Sequence, residues 1–170
     1  DAARNVGADE DILSRKITTT LFFSDIRDFT GFSEQHPAEE VVRFLNDLMA
    51  LQVDIIQKHG GDVDKMIGDA VLARFDGEDG GPRATQAALD IQQAVGQGNF
   101  PRALGIGVFR GEVISGAIGP SDRRDFTVIG DSVNISARLC SAAAADEIVV
   151  AADLADELAN NSFGPPEEIQ

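Results

Sequence analysis

Two short apolar runs separated by a two-residue turn constrain this chain most. Asp62–Ile67 and Ala70–Phe75 flank Gly68-Asp69, and a Gly-Asp pair between runs of this length reads as a tight β-hairpin. Upstream, residues 17–24 (ITTTLFFS) are β-branched and aromatic, which suits a buried strand, and this run ends on Asp25. Between the two, Val41, Leu45, Leu48, Gln52 and Ile55 fall at helical spacing, with Phe44, Met49 and Ile56 widening the stripe that faces a core. Pro37 fits the first turn of that helix and Gly60-Gly61 its stop. Gly80-Gly81-Pro82 then breaks the chain before a helix over 83–95. Strand signals return at 103–109 and 112–118, with Arg110-Gly111 reading as the turn of a second hairpin. After a polar loop over 120–124, a strand at 126–129 leads through Gly130-Asp131 to a helix over 132–139, N-capped by Ser132 or Asp131. A strand at 147–150 and a helix over 151–159 close the pattern. Residues 1–16 lack periodicity and read as a linker or the tail of an upstream element, so the single domain expected runs over 17–170.

Charge decides which partners such a domain can take. The chain has 170 residues, with 14 Lys and Arg against 29 Asp and Glu, for a formal charge of −15, and it has no Trp and no Tyr. Polyanions are repelled and no basic stacking surface exists, so nucleic acid is excluded as a partner. A nucleotide is still admissible where divalent ions neutralise a local carboxylate cluster. The lone Cys140 cannot form an internal disulfide, and no signal peptide or run of 18 apolar residues is present. The expectation is a cytoplasmic domain without membrane contact of its own, whatever a longer parent carries.

Two acidic residues stand where a core would not choose them. Asp25 ends an apolar strand, and Asp69 sits at the tip of a hairpin whose arms are apolar. If the first strand lies beside the hairpin, both carboxylates converge at one sheet end, and paired carboxylates are what magnesium shares with substrate phosphates. Spacing alone leaves Asp69 equally well explained as an ordinary turn residue, and Asp25 as an Asp before a turn.

Three longer motifs go beyond spacing. Residues 22–33 (FFSDIRDFTGFS), 62–73 (DVDKMIGDAVLA) and 126–139 (FTVIGDSVNISARL) resemble, in order, the first and second metal-binding signatures and the substrate segment of class III nucleotidyl cyclases. The resemblance covers the chain from about Ile17 to its end. It implies an α/β (α+β) fold, a ferredoxin-like, polymerase-palm-like sheet flanked by helices, and a homodimer with active sites at the subunit interface. It implies conversion of ATP to 3′,5′-cyclic AMP and pyrophosphate with two Mg²⁺ or Mn²⁺, for intracellular signalling. The metal ligands it implies are Asp25, Asp69 and the main-chain carbonyl of Ile26.

The same resemblance assigns the substrate contacts. Lys65 stands where adenylate cyclases carry a lysine that reads adenine N1 and guanylate cyclases commonly carry glutamate; a lysine only donates, which matches adenine. Thr127 stands at the companion position, where many members have Asp, and resembles the bacterial subgroup associated with bicarbonate response. Asn134 and Arg138 match the pair that orients the ribose and stabilises the transition-state phosphate, and four residues apart on a helix they share a face. Backbone amides over 28–31, at Phe29, Thr30 and Gly31 among them, are expected to cradle phosphate oxygens, and Arg123 or Arg124 to reach the β and γ phosphates. A basic phosphate-binding residue of the family is expected near 168–170, where Glu168, Ile169 and Gln170 stand instead, which reads as a truncated C-terminal end. Guanylate cyclase, which Lys65 opposes, and a non-catalytic nucleotide-binding or dimerisation module are the competing readings. Gly105-Ile106-Gly107 fails the dinucleotide fingerprint and reads as strand packing, His36 and His59 lack metal-ligand partners, and Cys140 reads as a packed small residue.

Overall fold

The computed structural model describes residues 14–158 and 161–169. In chain order its elements are β1 (Arg15–Ile26), α1 (Phe29–Gln35), α2 (Ala38–Lys58), β2 (Asp62–Ile67), β3 (Ala70–Phe75), α3 (Gly80–Gln97), β4 (Leu104–Ile118), β5 (Asp125–Ile129), α4 (Asp131–Ala142), β6 (Ile148–Val150) and α5 (Ala152–Glu157). One sheet runs in the order β2-β3-β1-β4-β5, with β6 parallel to the first half of β4 and every other pairing antiparallel. Its first four strands, with α2 and α3 as crossovers, make the β-α-β-β-α-β unit of a ferredoxin-like fold, the expected class.

Alternation along β1 sorts the two faces. Phe22 and Ile26 point to the larger core, where Phe44, Leu48, Met49 and Ile56 of α2 meet Ala84, Ala87, Ala88 and Ile91 of α3. Gln52 of the α2 stripe is fully buried there, and its polarity is satisfied: Ser24 Oγ donates to Gln52 Oε1 at 2.5 Å and Gln52 Nε2 donates to Leu48 O at 3.4 Å. Leu21 and Phe23 point the other way, with Leu72, Val113, Val128 and Val133. That face carries α4, laid close on β4: a Cβ on Gly107 would lie 2.7 Å from the Ser136 carbonyl oxygen, and one on Gly111 2.5 Å from Ser132 Oγ. Glycine at these two positions is the condition for that approach.

Several boundaries differ from the sequence reading. Arg110-Gly111 is no hairpin turn, because β4 runs unbroken through it and pairs with β1 from Arg15↔Ser115 to Ile26↔Leu104, with Gly111 opposite Thr19. The glycine is there for α4 rather than for a turn. Arg15 and Lys16, read as linker, are the first residues of β1, while residues 1–13 lie outside the described residues. The helix read over 83–95 starts at Gly80, with Pro82 tolerated because first-turn N–H groups have no intrahelical acceptor. Residues 29–35 form a helix that the periodicity did not reveal. Gly130, not Ser132 or Asp131, is the N-cap of α4, and Ser132 Oγ instead donates to Glu112 O at 2.7 Å. The last helix is described to Glu157, and Ala159 lies outside the described residues. Among the described residues no helix is long and apolar enough to cross a membrane.

Candidate active site

The end of β1 gathers the first group of site residues. β1 pairs with β3, which brings the β2–β3 turn alongside Ile26, and Gly68 takes φ 60° so that the turn closes in two residues. Asp69 is thereby held against β1, its Oδ2 accepting the Ile26 N–H at 3.1 Å. Asp25, one residue earlier, lies opposite Gly105 of β4. Its Oδ1 touches the Arg27 guanidinium in an ion-pair contact without hydrogen-bond alignment, and that buried oxygen has no hydrogen-bond partner. Arg27 spends its own donors on the end of α4, giving Nη1 to Ala143 O at 2.7 Å and to Ser141 O at 3.5 Å, where a cation complements the helix dipole.

These residues fit a divalent cation. The Asp25 oxygen meets a guanidinium but accepts no aligned hydrogen bond, and coordination to a hard cation would supply the partner it lacks. Among the described residues no three His, Cys, Asp or Glu side chains gather into a ready-made metal cage. The available donors are therefore Asp25, Asp69 and the Ile26 carbonyl, an open oxygen set of the kind magnesium completes with water and phosphate.

The second group lies where the sheet curls. Residues 15–19 of β1 pair only with β4, so the far half of β4 and the attached β5 are free to swing towards β3 and β2. Arg74 of β3 stitches this closure by donating Nη1 to Ser115 Oγ of β4 at 2.8 Å, and Asp76 takes its Nε and Nη2 at 3.1 and 2.9 Å. Burial acts to raise the Asp76 carboxyl pKa, but Arg74, the Thr19 hydroxyl and Arg15 outweigh it and hold the group below its ordinary value. A bulge in β2 sets Asp64 out of register, between Val63↔Ala73 and Lys65↔Leu72. The Asp64 side chain is 3% exposed, and its Oδ2 lies 3.9 Å from Lys65 Nζ. The same oxygen accepts the Thr127 hydroxyl at 2.5 Å. Lys65 and Thr127, from opposite edge strands, thus meet on one buried carboxylate. Asp64 was not singled out in the sequence; the signal that could have found it is the pair of adjacent charges, Asp64-Lys65, in a strand whose neighbours should alternate.

The remaining candidates are placed separately. Asn134 and Arg138 are exposed on α4, whose opposite side buries Ser132, Ser136, Leu139 and Cys140. Phe29 packs against the larger core, so what it offers a ligand is backbone. Gly31 sits so close to the Asp28 carboxylate that a Cβ would be 2.9 Å from its Cγ, and Arg102 pairs with that carboxylate at 3.4 Å. Arg123 and Arg124 lie in the exposed turn between β4 and β5, where the Arg123 N–H donates to Pro120 O at 2.8 Å. Residues 162–169 form no helix or strand. Cys140 is buried with Sγ 3.4 Å from Gly105 O, and burial pushes its thiol up to about 11, which suits packing rather than nucleophilic work.

Comparison with known proteins places the chain in a family. The family model for the adenylate and guanylate cyclase catalytic domain matches residues 13–167. An adenylate cyclase of Anabaena cylindrica is 42% identical over 133 residues, which are 71% of this chain and 26% of that protein's length. The chain therefore spans about a quarter of that relative. The crystal structure of the adenylyl cyclase CyaB from P. aeruginosa superposes with a TM-score of 0.77 at 30% identity, covering 86% of this chain and 83% of the other. The guanylyl cyclase Cya2 gives a TM-score of 0.79 at 28% identity, covering 93% and 90%. With strand order, motif placement and family match in agreement, the chain belongs to the adenylate and guanylate cyclase catalytic domain family.

Proposed function

We propose that this domain is an adenylate cyclase that converts ATP to 3′,5′-cyclic AMP and pyrophosphate. The observation that carries the reading is the meeting of Lys65 and Thr127 on the Asp64 carboxylate. The Lys65 ammonium donates to adenine N1, whereas guanine N1 carries its own proton and offers no acceptor. The Thr127 hydroxyl accepts from the adenine amino group beside it.

Asp25, Asp69 and the Ile26 carbonyl would hold two Mg²⁺ or Mn²⁺ ions, whose charge would make the ribose 3′-hydroxyl more acidic and would offset that of the triphosphate. Backbone N–H groups at Phe29, Thr30 and Gly31 take phosphate oxygens, and Arg123 reaches towards the far phosphates. Asn134 orients the ribose. Arg138 donates to the α-phosphate oxygens as charge builds on them, while the 3′-hydroxyl gives up its proton to solvent, the bond from the 3′-oxygen to phosphorus forms and the bond to the pyrophosphate oxygen breaks in line.

We place this site between two copies of the chain, one giving Asp25 and Asp69, the other Lys65, Thr127, Asn134 and Arg138. Exposed apolar residues near the site support it: Met66 is 50% exposed, Ile67 53%, Phe126 63% and Ile129 42%. Apolar side chains left exposed beside Lys65 and Thr127 in sequence are what a second copy would cover. Bicarbonate stimulation is proposed from Thr127 alone, and raised turnover at constant pH when bicarbonate replaces chloride tests it.

The deciding assay gives the purified protein ATP or GTP with Mn²⁺ and separates the products. Cyclic AMP in at least tenfold preference supports the reading. Preferred cyclic GMP replaces it with guanylate cyclase, and nucleotide binding without turnover replaces it with a non-catalytic module.

A further inference from the structure

A threonine hydroxyl is an ambiguous reader. It can donate or accept, so on its own it suits the amino group of adenine and the carbonyl of guanine equally well. A carboxylate only accepts. In this structure the Thr127 hydroxyl, on a residue 5% exposed, donates to Asp64 Oδ2 at 2.5 Å, which commits its proton. The lone pairs left on Oγ1 can then only accept. The bulge at Asp64 also leaves the same oxygen 3.9 Å from Lys65 Nζ, although successive strand residues normally point to opposite faces.

We infer that Asp64 is a positioning residue that sets base preference: by holding the Thr127 proton, it fixes one acceptor beside the donor Lys65, the complement of adenine's amino group and N1. The inference rests on the adenine-reading assignment of Lys65 and Thr127. Asp64 itself touches no substrate in this scheme. A residue that served only stability would change melting and leave the ratio between two nucleotides alone.

The test is the ratio of kcat/KM for ATP to that for GTP in Asp64→Asn. The amide keeps the shape but can donate to Oγ1, which turns the hydroxyl proton towards the base and admits a carbonyl. The ratio should fall about tenfold, the scale of one reversed hydrogen bond at a base edge. In a Thr127→Val background the same substitution should change nothing further, since the hydroxyl it acts through is gone. Asp64→Glu, which keeps an acceptor-only group, should hold the ratio nearer the native one than Asn does. If Asp64→Asn does not fold, Asp64→Ala frees the hydroxyl proton without introducing an unpaired amide and should lower the ratio in the same direction. An unchanged ratio in a folded Asp64→Asn or Asp64→Ala protein overturns the inference, as does an equal effect in the Thr127→Val background. Lys65→Glu separates the two levels. If it moves the preference and Asp64 variants do not, only the role of Asp64 fails; if it does not, the base-reading assignment has failed and the inference with it.

Discussion

The end of β1 and the closure between β2 and β5 are built in different ways. At the end of β1 the tie follows from direct strand pairing: Ile26 and Asp69 are 43 residues apart in sequence, but β1 and β3 are neighbours in the sheet, and one backbone N–H runs from Ile26 to Asp69. At the closure, Asp64 and Thr127 are 63 residues apart and come from opposite edges of the sheet order, so their contact exists only because the far half of β4 curls over. The first group depends on the pairing of adjacent strands and should survive a loss of sheet curvature. The second depends on curvature, and base preference should be the property that suffers first.

The largest effects should separate the two acidic residues of the first group. Asp25→Ala and Asp69→Ala should each lower turnover about a thousandfold or more, as loss of a group that stabilises the transition state does. Their stabilities should differ. Asp69→Ala removes the acceptor of the Ile26 N–H and should cost about 1 kcal/mol, read in urea melts. Asp25→Ala removes an ion-pair partner of Arg27 that makes no aligned hydrogen bond, and Arg27 keeps its bonds to Ala143 and Ser141, so the midpoint should fall by less.

Lys65→Glu comes next and sharpens the second group. Reversing the polarity at purine N1 should reduce ATP cyclisation far more than any residual use of GTP, by about a hundredfold in their ratio. Equal losses with both nucleotides would detach Lys65 from the base.

Arg74→Met breaks the comparison between the regions from a distance. It removes the bonds to Ser115 and Asp76 and should destabilise the protein by about 1 to 3 kcal/mol. ATP over GTP preference should fall in the folded fraction, with the metal concentration for half activity unchanged. The reverse pattern would place curvature under the metal group instead.

The smallest effect is a pH dependence. Because Asp76 titrates below its ordinary value in the folded chain, its contribution is present at pH values above the unfolded carboxyl pKa and is lost as pH falls through the folded one. Asp76→Asn should therefore flatten the acid limb of stability while leaving the neutral region less altered. The side chain is 57% exposed, so solvent screening keeps the change small.

What the sequence made legible follows the same division. Residues 17–24 and the Gly68-Asp69 hairpin were readable because each is a contiguous pattern with its own turn or period, and the convergence of Asp25 and Asp69 follows once β1 lies beside β3. The long β4 was misread at Arg110-Gly111 because a glycine that makes room for a helix looks the same in sequence as a glycine that turns. Asp64 escaped because a bulge depends on register with the neighbouring strand, and its partner Thr127 is brought near only by tertiary curl. The site residues stood in motifs, Asp64 and Thr127 among them; that the two touch is visible in neither motif.

Mixing two inactive proteins tests the shared site most directly. Asp25→Ala and Arg138→Ala are each prepared as nearly inactive homodimers, then combined under conditions in which subunit exchange is verified. A two-fold dimer has two equivalent seams, so about half of the dimers become mixed and each mixed dimer carries both lesions in one site and none in the other. Activity should return to about a quarter of the native level and rise with protein concentration. No recovery after verified exchange would mean that Asp25 and Arg138 act within one chain, and would contradict the account.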